Sequence, residues 1–472
     1  MTAQNDTAGG VRARGDKVFF GHPAGLGWLS ASEFWERFSY YGMLTLLALY
    51  MKHELFLPGH LANVWGFSTF RVVFTSFYGP MTPQALASNI YGFYAAFVYL
   101  TPLGGGFLAD RYLGRTRAVI IGACLMALGH FLMAFEASFI LALFCLLIGV
   151  GFFKGNIATQ VGDLYGHEDP RRADAFQIYM LGIQIAVIGS PLVCGSLGEK
   201  VGWHWGFGVA GVGMLVGLAT YLVGRPSFPP ERPRAASKDT PARAPLSRTD
   251  RTNVIILIVL IPVMALSVVT NQQIGNAYML WAETTYNLNV LGFQVPVTWM
   301  NSLDAIFGAI TIAGAVLFWR WWGTKWAEPD ELAKIIIGVI IAMIGPLCLA
   351  AAAQQFVMTG HRVSLGWALA FEAFNNLGFA NMFPVGLALY SRAAPKGLGG
   401  MMIAVFYLHL FLGNFLIGYL GGFLDTMSGT MFWLMHAGLM AVSVVLLLAI
   451  RLWVGRALSP AYAEPAPAAE AA

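Results

Sequence analysis

Glu33, Glu36 and Arg37 stand within one helical turn of an otherwise apolar stretch near the start of the chain. Spacings of three and four residues put all three on one helical face, which Tyr40 and Tyr41 continue one turn on. Lys154 lies in GVGFFKGNIATQ, Asp304 in TWMNSLDAIFGA and Glu372 in WALAFEAFNNLGFANMF, each inside an apolar run. An ionisable side chain at membrane depth costs ~2.5–3.5 kcal/mol on insertion scales, so such groups mark function by default. The competing reading of the first cluster is a snorkelling group at the helix start, because Glu33 falls early in its span. Gathered in one cavity, Arg37 and Lys154 would take a carboxylate, and an acid from the second half of the chain would take an ammonium. Those are the two ends of a zwitterion. A glutamate that loses its cationic partner to a substrate carboxylate takes up a proton more readily, which links binding to protonation. Glu33, Glu36 and Asp304 are the candidate proton-coupling acids. His130 and His409 also lie in apolar runs; both read as packing histidines, with His409 the better candidate for a relay.

The elements that must position these groups are membrane helices. Of 472 residues, 57% are hydrophobic and only 11% charged, with a mean hydropathy of +0.64. A soluble domain carries roughly 25% charged residues, so the bilayer is the solvent this composition fits. Apolar runs predict spans at 28–51, 87–109, 118–136, 138–157, 175–197 and 204–224, then at 253–282, 297–321, 332–354, 363–390, 398–421 and 428–452. The fold class is therefore all-α, with twelve transmembrane helices in two six-helix bundles. Residues 225–252, rich in Pro, Ala and Arg, read as a flexible linker between bundles 28–224 and 253–452. Residues 1–27 and 453–472 read as a cytoplasmic segment and tail. The 53–86 connector has room for a short helix that the pattern does not place.

The positive-inside rule puts the linker in the cytoplasm, together with Arg111, Arg115, Arg117, Arg171, Arg172, Arg320, Lys325, Arg392 and Lys396. Both termini are then cytoplasmic and the chain is a multi-pass protein of the cell (inner) membrane. The polar N-terminus has no apolar segment of signal-peptide type. Arg111-Tyr112-Leu113-Gly114 after the second span is echoed by Arg320-Trp321-Trp322-Gly323 after the eighth, as internal repeats require. Cys124, Cys145, Cys194 and Cys348 sit in apolar stretches without metal spacing and read as small buried hydrophobes. Pro102, Pro191, Pro346 and Pro384 are candidate bend points.

EFWERFSYYGM, from Glu33 to Met43, resembles the ExxERF signature of the proton-dependent oligopeptide transporter family, within the major facilitator superfamily. IYGFYAAFVYLTPLGGGFLADRYLGRTRAV, FFKGNIATQVGDLY, QVPVTWMNSLD, FEAFNNLGF and APKGLGGMM resemble further landmarks of that family, in order along the chain. The resemblance implies proton-coupled symport of di- and tripeptides across the cytoplasmic membrane by alternating access. It implies that Glu33 and Glu36 are proton-linked, that Arg37 and Lys154 meet the peptide carboxylate, and that Glu372 holds the amino terminus. Tyr40, Tyr41 and Tyr94 would line the pocket. Asp110, Arg111 and Arg117 belong to a motif that braces helices on the cytoplasmic side. Expected partners are small peptides, protons and the lipid bilayer, with no nucleic acid, no cofactor beyond the coupling proton, and a monomeric state.

The departures are as informative. An Arg that members often carry after the signature's Tyr-Tyr-Gly is absent, since Met43 and Leu44 follow Gly42. Its acidic partner on the seventh span falls near Asn271, Gln272 and Gln273, all uncharged. A histidine of animal members aligns with Gly92, a substrate-contacting Asn with Gln184, and a Trp with Val405. The eighth span, usually Ser-Leu-Asn-Pro, reads Ser302-Leu303-Asp304-Ala305, so a pocket amide has become a carboxylate. Two readings compete with peptide symport. One is a carrier of the same fold for another small organic acid, amine or zwitterion. The other is a receptor or scaffold, which has no reason to bury so many charges. An enzyme is not expected, because no nucleotide-binding glycine loop, metal-ligand cluster or nucleophile constellation occurs.

Overall fold

Inside a bilayer each backbone N–H and C=O must find its partner within the segment, so an apolar run becomes a helix. A computed structural model of the chain describes residues 18–166, 169–229, 246–395 and 398–458. The first set of helices comprises α1 (Ala24–Tyr50), α2 (Phe67–Tyr78), α3 (Pro83–Leu108), α4 (Arg115–Leu132) and α5 (Phe139–Asp163). It continues with α6 (Arg171–Ser190), α7 (Ser196–Lys200) and α8 (Trp203–Gly224). After the linker come α9 (Arg248–Ser267), α10 (Val269–Gln272), α11 (Met279–Thr285) and α12 (Trp299–Gly323). The last four are α13 (Glu331–Thr359), α14 (Gly366–Arg392), α15 (Gly399–Gly421) and α16 (Gly429–Leu458). Most of the linker and both chain ends lie outside the described residues, as does Lys396.

Local sequence explains several boundaries. The Thr82 hydroxyl caps α3 by accepting from the Ala85 N–H at 3.1 Å, with Pro83 at the first helical position. Ser247 and Asp250 form a reciprocal capping box at α9. Pro191 ends α6 and a wider turn leads into α7, so this span bends where a proline withholds its N–H. The seventh span is broken: Asn276 leaves helical geometry between α10 and α11. The amide of Gln273 covers the break, accepting from the Ala277 N–H at 3.3 Å and from Asn276 Nδ2 at 3.1 Å. The 53–86 connector holds α2, which the apolar pattern did not locate. A hairpin that sequence did not predict, β1 (Asn289–Val290) and β2 (Phe293–Gln294), precedes α12 and turns through Leu291 and Gly292, both at positive φ.

Ten helical stretches among the described residues are long and apolar enough to cross a membrane. α1 and α14 fall outside that set, and they are the helices that carry Glu33, Glu36, Arg37 and Glu372. Their apolarity is traded for chemistry. α1 packs against α6 and α8, and α5 against α3 and α4. In the second set α13 packs on α14 and α16, while α9 lies against α15 and α16. The two sets meet where α3 runs along α15 and α6 along α12.

On the face away from the linker the two sets are sewn together. Asn301 donates to Thr45 Oγ1 at 2.7 Å, and Trp299 to Ser196 Oγ at 2.8 Å. Glu199 accepts from the N–H groups of Val297 (3.0 Å) and Thr298 (2.9 Å). Glu283 meets His53 at 2.8 Å and Lys52 at 3.5 Å. Gly92 lies directly on the backbone of Gly418 and Asn414, so a side chain at Gly92 would force α3 and α15 apart. The position where animal members carry a histidine is here a point of backbone-to-backbone contact.

Candidate functional site

α1 starts at Ala24, earlier than the expected 28, which sets Glu33 deeper than a helix-start cluster. Glu33, Glu36 and Arg37 are only 3%, 0% and 3% exposed, so the snorkelling alternative fails. Arg37 grips Glu36 with two donors, Nε to Oε2 and Nη2 to Oε1, the second at 2.5 Å. Its Nε also lies 3.4 Å from Glu33 Oε1, and its guanidinium stands over the Tyr40 ring at 5.0 Å. Tyr179 of α6 lies beside Glu33. The second oxygen of Glu33 and the Tyr94 hydroxyl have no hydrogen-bond partner among the described residues.

Lys154, on α5, is within electrostatic range of Arg37, Glu36 and Glu33. Its ammonium faces the Tyr99 ring at 5.2 Å and forms no ion pair within 4.0 Å with a described residue. A half-buried cation held by an aromatic face rather than by a carboxylate is available to an incoming anion.

From the other set, Asp304 on α12 and Glu372 on α14 meet through Asn376. One amide nitrogen donates to Asp304 Oδ1 at 2.8 Å and to Glu372 Oε2 at 3.0 Å. Glu372 is fully buried, and its other oxygen has no hydrogen-bond partner among the described residues. Tyr41 bridges the two halves, lying within electrostatic range of Arg37 and Glu36 on its own helix and of Asp304 opposite. Tyr99 and Tyr407 stack across the α3–α15 contact, ring centroids 6.3 Å apart. The arrangement is bipolar. Cations of the first set and acids of the second lie on opposite sides of Tyr41, which is in electrostatic range of both.

Other expected residues are placed differently. Gln184 is half-buried on α6, and no described residue hydrogen-bonds its side chain to the charged groups. Asp110, Arg111 and Arg117 lie exposed at the linker side. The inter-helix brace there runs through Arg115, 2.6 Å from Asp163 and 3.6 Å from Asp110. Arg111 instead rests against the rings of Phe107 and Tyr112. Gln272 accepts from Asn414 at 2.9 Å and donates to Asn271 at 3.2 Å, so a neutral amide chain occupies the position of the missing acid. His409 packs against Phe406, its ring nitrogen at that residue's carbonyl, and His130 is enclosed in apolar surroundings. Of the four cysteines only Cys194 is buried; Cys145 and Cys348 are half-buried and Cys124 is exposed. Asn376, Tyr99, Tyr179 and Tyr407 were not anticipated. Asn376 stands in a quoted landmark, and its four-residue spacing from Glu372 was the available signal.

A family model described as the POT family matches residues 116–243 and 242–434. The chain belongs to the POT family. It is 29% identical to the peptide transporter YePEPT of Yersinia enterocolitica, over 86% of this chain and 89% of the relative. It is 27% identical to a di-/tripeptide transporter of Lactococcus lactis subsp. cremoris, over 83% and 88%. Among solved structures it resembles a mutant of peptide transporter POT in complex with alafosfalin, with a TM-score of 0.80 and 26% identity, covering 94% of this chain and 97% of that one. The POT fold accounts for the helical architecture, and the chain is a multi-pass membrane transporter of that family, not an enzyme.

Proposed function

We propose that this POT-family chain is a proton-coupled symporter of di- and tripeptides that works by alternating access. The observation that carries the reading is the bipolar placement of charge, with Arg37 and Lys154 in one half, Asp304 and Glu372 in the other, and Tyr41 between Arg37 and Asp304. A short peptide presents a carboxylate at one end and an ammonium at the other, and this arrangement offers cations to the first and acids to the second. Arg37 and Lys154 take the carboxylate; Glu372 and Asp304 take the amine; Tyr40, Tyr41 and Tyr94 contact the backbone. When the carboxylate draws Arg37 away, Glu36 and Glu33 lose their counter-charge, and a proton replaces it. Each positive charge imported gains ~2.3 kcal/mol per 100 mV of membrane potential. The names of the relatives support the substrate class.

The bundles 28–224 and 253–452 rock about this site while the 225–252 linker, both termini and the Arg-rich loops face the cytoplasm. The contacts between Thr45 and Asn301 and between Glu199 and α12 then close the outer side. The chain acts as a monomer in the inner membrane and uses no cofactor besides the proton. Uptake of a labelled dipeptide into liposomes holding the purified protein tests this. Accumulation should rise with an inward proton gradient and collapse with a protonophore. If a panel of dipeptides competes no better than buffer, the carrier serves another small acid, amine or zwitterion.

A further inference from the structure

Two carboxyl groups in contact through one amide, Glu372 fully buried and Asp304 half-buried, are an unusual charge arrangement. Asn376 donates to each of Asp304 and Glu372, yet this leaves the other oxygen of Glu372 buried with no hydrogen-bond partner among the described residues. No Lys or Arg among the described residues lies within ion-pair distance of either acid. The titratable groups facing them are Tyr278 and Tyr286 from the seventh span and Tyr41 from α1, all neutral donors. Two like charges in that position repel without compensation, whereas one proton between them forms an O–H that donates from one carboxyl to the other. The unpartnered Glu372 oxygen is where such a bond or an ammonium would be received.

We propose that Asp304 and Glu372 hold one proton between them while a substrate ammonium is bound, so that this pair is a second proton-carrying site, on the opposite bundle from Glu33. This rests on the peptide-symport reading and extends it. The shared proton leaves the pair with one negative charge, which one ammonium neutralises, and the proton then travels with the substrate. An asparagine at 304, as the usual Ser-Leu-Asn-Pro pattern has, could not hold it. The proton enters from water and leaves to water, with no other bond made or broken.

Infrared spectroscopy of reconstituted protein reads the proton directly. In an E33Q background, which removes the other buried acid lacking a full partner set, a carboxylic-acid carbonyl band should be present at neutral pH. It should persist when a dipeptide is added. Both D304N and E372Q should abolish it, since either change removes one half of the pair. A band that survives in one of the two variants assigns the proton to a single acid and overturns sharing. So does absence of the band in E33Q, or its loss on adding dipeptide. Tryptophan-fluorescence melting checks that each variant is folded, and the E33Q measurement stands even if one is not. In uptake, the membrane voltage at which labelled-dipeptide flux reverses should show D304N carrying one proton fewer per peptide; an unchanged ratio overturns the proposal. The infrared arms need no transport, so their failure is distinct from a failure of dipeptide uptake.

Discussion

Arg37 holds Glu36 with two donors and Glu33 with one longer contact. The two acids should therefore differ in what their removal does. Glu36→Gln strips Arg37 of its bidentate partner inside an enclosed site and should destabilise the protein by about 3 kcal/mol, the lower end for a broken buried pair. Glu33→Gln should cost distinctly less. Thermal melting in one detergent compares them, and equal losses would contradict the geometry. Lys154, turned toward the Tyr99 ring and free of a carboxylate, should matter to binding more than to folding. Lys154→Gln removes one charge-assisted contact of about 1.5–3 kcal/mol. Half-saturating dipeptide concentration should therefore rise at least about tenfold, with little change in melting. At this scale sequence was informative about charges and nearly silent about neutral partners. Glu33, Arg37 and Lys154 announce themselves because a charge in an apolar run has no cheap explanation. Asn376, Tyr99 and Tyr407 carry no such penalty, and their roles follow only from how α14, α3 and α15 face their neighbours.

At the scale of elements, Asp330 shows how a helix end is secured. It caps α13 by accepting from the Ala333 N–H at 2.7 Å and is gripped by Arg451 of α16 at 2.8 Å. Burial pushes the Asp330 carboxyl up, but the Arg451 guanidinium and the Ala333 N–H outweigh it and hold it below the usual carboxylate range. The unfolded chain then binds this proton more readily than the folded one. The contact's contribution is present above the ordinary aspartate range near pH ~4 and is lost as pH falls through the folded value. Asp330→Ala should cost about 1 kcal/mol at neutral pH, and the gap to the parent protein should close on acidification. Melting curves at neutral and acid pH test the sign. Span positions were legible because twenty or so apolar residues admit few other structures in lipid. The break at Asn276 and the hairpin before α12 were not, since Gln273 and Asn276 read as ordinary polar residues until their backbone partners are seen.

For the whole molecule, the contacts away from the linker seal one entrance. Thr45 and Asn301 touch across it, so T45C with N301C should form a disulfide under mild oxidation that arrests dipeptide uptake. A reductant should restore it, and uninterrupted uptake in the oxidised, cross-linked protein would refute a gate at this point. The two-bundle plan was visible in the run of apolar segments and the basic linker. The missing signature arginine was visible too, but what replaces the lost ionic clasp was not, because main-chain donors leave no mark in composition. Glu199 fastens the two halves by gripping the amides of Val297 and Thr298. A clasp built on peptide nitrogens draws its donors from the main chain, so proline, which has no hydrogen on its nitrogen to offer, is the replacement that removes a donor outright. Both side chains are packed away from solvent, so a bulky replacement would disturb the corner by another route, and on separation water supplies equivalent donors to the carboxylate.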